Sequence, residues 1–419
     1  MIDFELSPRI KGTQKMLRIF AEQALRPVAR QYDEEEHERP LELINLVHGF
    51  MKGGLGGGGL TGGTPKKETD EKGEKKEKKP SERQLMTAIT IEEIFWGDAG
   101  IALAFPGPGL GGAAVQATGT PEQKERFLAR FAGDAPVWGA MAITEPEAGS
   151  DTANIRATAV KDGDEWVLNG EKIFVTAGKS ALEDSDGFVV VWATVDPKAG
   201  RAGIKPFIVE HGAPGMQITK IEDKLGIRCS DTVSISFMDC RIPEDNILGS
   251  AEVVDKTQTK GFKGVMATFD ATRPMVAAMA IGVGGAALDS LKQALAEEGL
   301  EVRYNISPNR MTAIERDITE MEADLKAARL LTWRAVWMLD NGRRNSLEAS
   351  MAKAKAGLAV THITQKCVEL MGPLGYSRKL LLEKWMRDAK INDIFEGTGQ
   401  IQTLIAARNV LGFGRDKLK

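Results

Sequence analysis

The chain is poor in the residues that build metal and disulfide sites. It holds three cysteines and four histidines in 419 residues. Cys229, Cys240 and Cys367 form no CxxC pair, and His37, His48, His211 and His362 form no HExxH or comparable spacing. A structural zinc site or a disulfide framework needs such clusters, so neither is expected, and a reducing compartment is. Net charge is also small: 55 basic against 59 acidic residues leave −4. That offers no bulk attraction for nucleic acid, and an acidic ligand would have to meet a local basic site. No segment approaches the run of about 18 apolar residues that a membrane-crossing helix needs. The opening MIDFELSPRI has neither an apolar signal core nor an Arg/Ser-rich transit pattern. The expected location is therefore cytoplasmic, with no membrane span.

What the chain does have is the content of a globular protein, with 42% hydrophobic residues, and a length that suits two or three domains at about 100–200 residues each. The first third reads as helical, with Met16, Ile19, Phe20, Ala24, Leu25 and Val28 at helical spacing. Residues 53–63 are glycine-rich and 66–79 are almost all Lys, Glu and Asp. Such a stretch has nothing to bury, so 53–80 reads as a flexible, exposed insertion. Ser81 is placed to cap the next helix, and Thr120 with Pro121 to start the one after FPGPGLGG. From about Trp138 to Gly249, runs rich in β-branched and aromatic residues predict a compact antiparallel β domain, a barrel or sandwich. From Gly261 to Leu411 three long helices follow, the second ended by Asn341-Gly342. The expected domains are 1–137, 138–250 and 251–419.

Two stretches carry chemistry. MAITEPEAGSD (Met141 to Asp151) reads as a turn leading into the first strand, whose hydroxyls and glycine-exposed amides suit a polar heteroaromatic edge and a phosphate. In MRDAKINDIFEGTGQIQ, Glu396 precedes Gly-Thr-Gly at a helix start. An acid there is favoured by the helix dipole alone. A carboxylate in a dry pocket can also serve as a general base, its pKa raised by desolvation.

The order of helices, β domain and helical bundle resembles the acyl-CoA dehydrogenase family. So do the strings MAITEPEAGSD, EKIFVTAG, KLGIRCSDT, FDATRP and EGTGQIQ. The resemblance covers nearly the whole chain apart from 53–80 and a shorter insert near 251–260. It implies an α+β fold with an N-terminal helical domain, a middle β-barrel and a C-terminal four-helix bundle. It implies FAD as cofactor, touched by Thr144, Ser150, Phe174, Thr176 and Thr398. Phe174 stands where a Trp is commoner. Asp270, Arg273 and Gly397 are implied at the substrate, with FDATRP at a helix start, and Gly397 allows close approach to the flavin. Glu396 is implied as the base, since Thr272 occupies the place where some relatives carry theirs. The implied reaction is α,β-dehydrogenation of an acyl-CoA to the trans-2-enoyl-CoA, as in fatty acid β-oxidation, with electrons passed to an electron-transfer flavoprotein.

The sequence departs from the family where neighbouring subunits complete each other's flavin site. The usual Arg-x-x-Phe-Gly segment is replaced by EEGLEVRYNISPNRMTAIERD, with Arg303 and Arg310 as nearest substitutes, and Gln-x-x-Gly-Gly by Glu369-Leu-Met-Gly372-Pro373. A drifted loop, a homo- or hetero-tetramer with a related chain, and a flavin-poor structural subunit all remain open, as does an acyl-CoA oxidase. FPGPGLGG either reshapes the acyl pocket or is a tolerated kink.

Overall fold

The computed structural model describes residues 5–52, 81–253 and 260–414. The insertion expected at 53–80 and most of the insert near 251–260 lie outside them. The helices α1 (Pro8–Phe20), α2 (Ala29–Glu34), α3 (Leu41–Lys52), α4 (Arg83–Gly97), α5 (Ala99–Ala104), α6 (Gly109–Thr118) and α7 (Pro121–Leu128) come first. Helix α7 begins as its sequence predicts, with Pro121 in its first turn and Thr120 closing a capping box with Gln123. Ser81 accepts from the Arg83 amide at 3.3 Å, but the next two amides of α4 go elsewhere. That helix starts at Arg83, and the amides of Gln84 and Leu85 donate to the carboxylate of Asp340 at 2.9 and 3.2 Å. A carboxylate is a stronger acceptor than a local hydroxyl, and Ser81 itself donates to Asp340 at 3.0 Å.

The glycines of FPGPGLGG allow a close approach. A Cβ on Gly109 would lie 2.3 Å from the Gly139 carbonyl oxygen, and one on Gly111 2.5 Å from that of Ala140. Glycine therefore lets α6 lie directly on β1 (Gly139–Ala142).

The remaining strands are β2 (Thr158–Asp162), β3 (Glu165–Thr176), β4 (Phe188–Thr194), β5 (Ile204–Glu210), β6 (Met216–Ile221) and β7 (Thr232–Pro243), with the short α8 (Gly178–Leu182) between β3 and β4. They form one curled sheet in the order β1-β4-β2-β3-β7-β6, with β5 also on β4. The purely antiparallel expectation is corrected here: β4 pairs parallel with β1 and with β2. All seven residues of β4 are buried. A strand covered on both faces reads as a continuous apolar run, which is what FVVVWAT is.

The chain then returns to helices: α9 (Lys260–Glu297), α10 (Ala313–Asp340), α11 (Ser346–Tyr376), α12 (Leu382–Ala389) and α13 (Gly399–Leu411). Helices α9, α10, α11 and α13 make the C-terminal bundle, and α4 packs along α9. The segment Thr268–Glu297 is long and apolar enough to cross a membrane, contrary to the sequence reading, but 78% of its apolar window is buried inside the protein. It is the core helix of the bundle.

FDATRP does not start a helix. It lies inside α9, with Pro274 in the interior of a 38-residue helix. Proline leaves the carbonyl four residues earlier without its amide partner. That carbonyl belongs to Asp270, and it accepts instead from the side chain of the buried Asn345 at 3.1 Å. The lost bond is replaced, and the helix continues.

The three regions meet at a buried ionic junction. Lys384 of α12 donates to Asp98 at 2.5 Å and to Asp388 at 2.6 Å, all three nearly inaccessible. Asp388 also accepts from the Ile227 amide at 2.6 Å. Burial pulls the lysine down, but Asp388 and Asp98 more than offset it and hold the ammonium above its ordinary range.

Candidate active site

Glu396 stands on the turn before α13 with φ 54°, and Gly397 follows at φ 94°. A non-glycine residue in the left-handed region costs on the order of 1–3 kcal/mol and persists only where its surroundings impose it. Gln402 imposes it. This side chain is 0% exposed and donates from Nε2 to the carbonyls of Glu396 at 3.3 Å and Gly397 at 3.2 Å. A Cβ at position 397 would stand 2.4 Å from that Nε2, so glycine is required for the turn to close on Gln402. The Thr398 hydroxyl caps α13, accepting from the Ile401 amide at 3.4 Å, and keeps its own proton to donate.

Glu396 is half-buried as a residue, with its carboxyl turned inward. Thr272 donates to Oε2 at 2.5 Å. Desolvation pushes this carboxyl above the usual range, opposed by the Thr272 hydrogen bond and by the charges of Arg273 and Lys353. Arg273 is buried, its Nη1 3.2 Å from Asp270 and its guanidinium 5.5 Å from the centre of the Phe269 ring. Burial lowers it from its ordinary value, while Asp270 and Glu396 favour the charged form. The Asp270 carboxylate also accepts from Ser346. It thus holds Arg273 in place.

The second group of expected residues lies on the sheet side. Phe174 has φ 57° and sits where the β3–β7 register shifts between Lys172 and Val175. A bulge re-aims a side chain, and this ring is 62% exposed, unusual for a large aromatic. Thr144 and Thr176 flank it and are half-buried, and the Ile173 amide donates to the Thr144 carbonyl at 2.9 Å, which ties the turn to the strand. Ser150 is on the exposed part of that turn. The turn is pinned by the buried Glu145, which accepts from the Arg156 amide at 2.6 Å, the Ala157 amide at 2.9 Å and Lys172 at 2.7 Å. Lys172 also donates to the Ile143 carbonyl at 3.1 Å. Burial lowers this lysine to about 8 despite Glu145. Phe269 packs in one apolar cluster with Met141 and Ile143, so the helix bearing Thr272 and Arg273 abuts the turn bearing Thr144.

This donor set suits a flavin: an outward-facing aromatic on a bulge, hydroxyls on either side, and a rigid exposed turn. Gln402, Lys353 and the Glu145–Lys172 pair were not assigned roles from sequence. Gln402 was visible only as the last letter of QIQ, and Lys353 only as a charge on a face of small residues. Of the two nearest substitutes for the cross-subunit donor, Arg303 is otherwise engaged. Arg303 grips Glu315 at 2.7 and 2.8 Å, and Glu369 pairs with Lys366 at 3.0 Å.

Family models for the acyl-CoA dehydrogenase N-terminal, middle and C-terminal domains match residues 7–134, 140–240 and 259–411. The mitochondrial short-chain specific acyl-CoA dehydrogenase of Bos taurus is 35% identical over 97% of this chain and 92% of its own length. The butyryl-CoA dehydrogenase structure from Megasphaera elsdenii superposes with a TM-score of 0.81 at 30% identity, covering 98% of this chain and 100% of the other. A chain in the structure described as the electron transferring flavoprotein of Acidaminococcus fermentans gives 0.82 at 31% identity, covering 98% and 100%. The chain belongs to the acyl-CoA dehydrogenase family of FAD-dependent oxidoreductases.

Proposed function

We propose that this chain converts an acyl-CoA to its trans-2-enoyl-CoA, with Glu396 as the base, and passes the electrons to an electron-transfer flavoprotein. The observation that carries the reading is the desolvated Glu396 carboxyl, held on a strained turn by Gln402 and bonded to Thr272. A carboxyl raised by burial is a stronger base than one in water, provided it is ionised when substrate binds. The charges of Arg273 and Lys353 favour its ionised form against the desolvation. The carboxylate takes the α-proton, and the backbone N–H of Glu396 donates to the thioester oxygen as charge grows there. Thr144, Ser150, Phe174, Thr176 and Thr398 would hold FAD, with Arg273, Asp270 and Gly397 at the substrate. When bound, FAD supplies the two-electron acceptor for the β-hydrogen.

Relatives named for short-chain and butyryl substrates put short acyl-CoAs first in a substrate panel. The domain limits we assign are 1–137, 138–250 and 251–419. The cysteines are free and buried, in keeping with a reducing cytoplasm. The chain acts in a tetramer, with itself or with a related dehydrogenase chain. The engagement of Arg303 with Glu315, and the Glu369 and Pro373 substitutions, favour a related chain that completes the flavin site.

The test is the FAD content per chain and the assembly mass of the purified protein, alone and after co-expression with a related chain, followed by product analysis with the panel. Bound FAD and an enoyl-CoA product support the reading. A chain that stays colourless in both preparations contradicts it and leaves a structural subunit.

A further inference from the structure

Lys353 is the exception on its helix face. Around it α11 buries Ala349, Ala352, Ala356, Gly357 and Val360. Lys353 is 1% exposed, and its Nζ has no hydrogen-bond partner among the described residues. Burying an ammonium is strongly unfavourable unless charges nearby offset the cost.

Its position says where. One helical turn on, Gly357 lies so close to the 390s turn that a Cβ there would meet the Asn392 carbonyl oxygen at 2.9 Å and the Asp393 Cα at 3.1 Å. Residues four apart share a helix face, so Lys353 stands on the face of α11 that packs against the turn leading to the proposed base. The charges that reach it are Asp393 and Glu396, which attract, and Arg273, which repels. Two of these groups have other partners. Arg273 is held by Asp270 at 3.2 Å, and Asp393 is shared with Lys390 at 3.7 Å. The groups that face Glu396 are Thr272 and Arg273 from α9 and Lys353 from α11.

We propose that Lys353 is the positioning residue of the base, a buried cation that acts through Glu396 and touches no substrate. It holds the carboxyl ionised before substrate arrives and fixes the turn from the α11 side. The proposal rests on the reading of Glu396 as base. In the proton transfer the α C–H bond breaks, its electron pair stays on the acyl group, and the proton passes to Glu396, which becomes neutral. A cation there favours the carboxylate, so it also favours release of that proton afterwards. Burial lowers Lys353 itself to about 8, so the charged pair is lost on the alkaline side as the lysine deprotonates.

The test is an infrared titration of the flavin-free full chain, following the protonated-carboxyl band that vanishes in Glu396→Gln. In Lys353→Met and Lys353→Gln its midpoint moves up by about 1 pH unit, and in Lys353→Arg it stays near that of the unsubstituted protein. A midpoint unmoved in folded Lys353→Met or Lys353→Gln overturns the proposal. Coupling is reciprocal, so the intact lysine provides a second reading. Its 13C-methylated ammonium, assigned by its loss in Lys353→Arg, titrates at lower pH in Glu396→Gln than in the parent, and an unchanged lysine midpoint overturns the proposal equally. Neither measurement uses turnover. An absence of dehydrogenation would therefore count against the proposed function and leave the coupling measurable.

Discussion

Thr272 donates its hydroxyl to Glu396 Oε2 at 2.5 Å, which joins two positions far apart in sequence at the candidate site. The contact leaves the proposed base with one hydroxyl donor inside the protein. Removing the donor with Thr272→Val takes a hydrogen bond from a charged group, worth about 1.5–3 kcal/mol. The carboxyl rises further, and at neutral pH the rate of flavin bleaching falls about 10-fold or more, with its ascending pH limb moved to higher pH. Stopped-flow absorbance across a pH series measures both.

Glu396 also sets a pH dependence of stability. Its folded-state pKa lies above the 4.5 of an ordinary glutamate, so the folded protein holds a proton that the unfolded chain releases. The stability from this group is whole below 4.5 and falls as pH rises toward the folded value, by about 1.4 kcal/mol for each pH unit between the two. Glu396→Gln therefore makes the flavin-free protein more stable than the parent at pH 7, and the gap closes below about 4.5. Denaturant unfolding at the two pH values checks the sign.

The strained turn makes its own prediction. Gln402→Ala removes the donor to two carbonyls and opens space in the core, and it lowers stability by about 2–4 kcal/mol. Gly397→Ala meets Gln402 Nε2 at 2.4 Å and stands at φ 94°, so it costs about 1–3 kcal/mol and displaces Glu396. Both variants lose substrate-dependent bleaching out of proportion to their lost FAD, which parallel absorbance and activity measurements read.

Much of this site was legible in the sequence because it is written in contiguous strings. The turn at Thr144, the bulge residue Phe174 and the proposed base Glu396 each lie in a short motif whose residue types carry their own reasons. The rest depends on partners far along the chain. Nothing near Pro274 indicates that Asn345 takes over the Asp270 carbonyl, so FDATRP reads as a helix start. Nothing near Ser81 indicates that Asp340 caps α4. The parallel pairing of β4 with β1 and β2 is set by tertiary packing on both its faces, which an apolar run permits but does not specify. Lys353 and Gln402 look like ordinary helix residues until the 390s turn is folded over them.

At the junction of the three regions one cation serves two buried carboxylates. Lys384→Met leaves Asp98 and Asp388 buried without their shared cation, which predicts a loss of about 3–5 kcal/mol. Asp98→Asn, which keeps a neutral side chain beside Lys384, costs less. Chemical denaturation ranks the two, and equal losses would argue against a shared ion pair.

The most direct measurement is anaerobic mixing of the FAD-bound protein with a short acyl-CoA, wild type against Glu396→Gln, with CoA binding followed separately. The account predicts that the wild type bleaches while the variant binds the ligand and stays yellow. Bleaching of the variant at the wild-type rate would contradict Glu396 as the base.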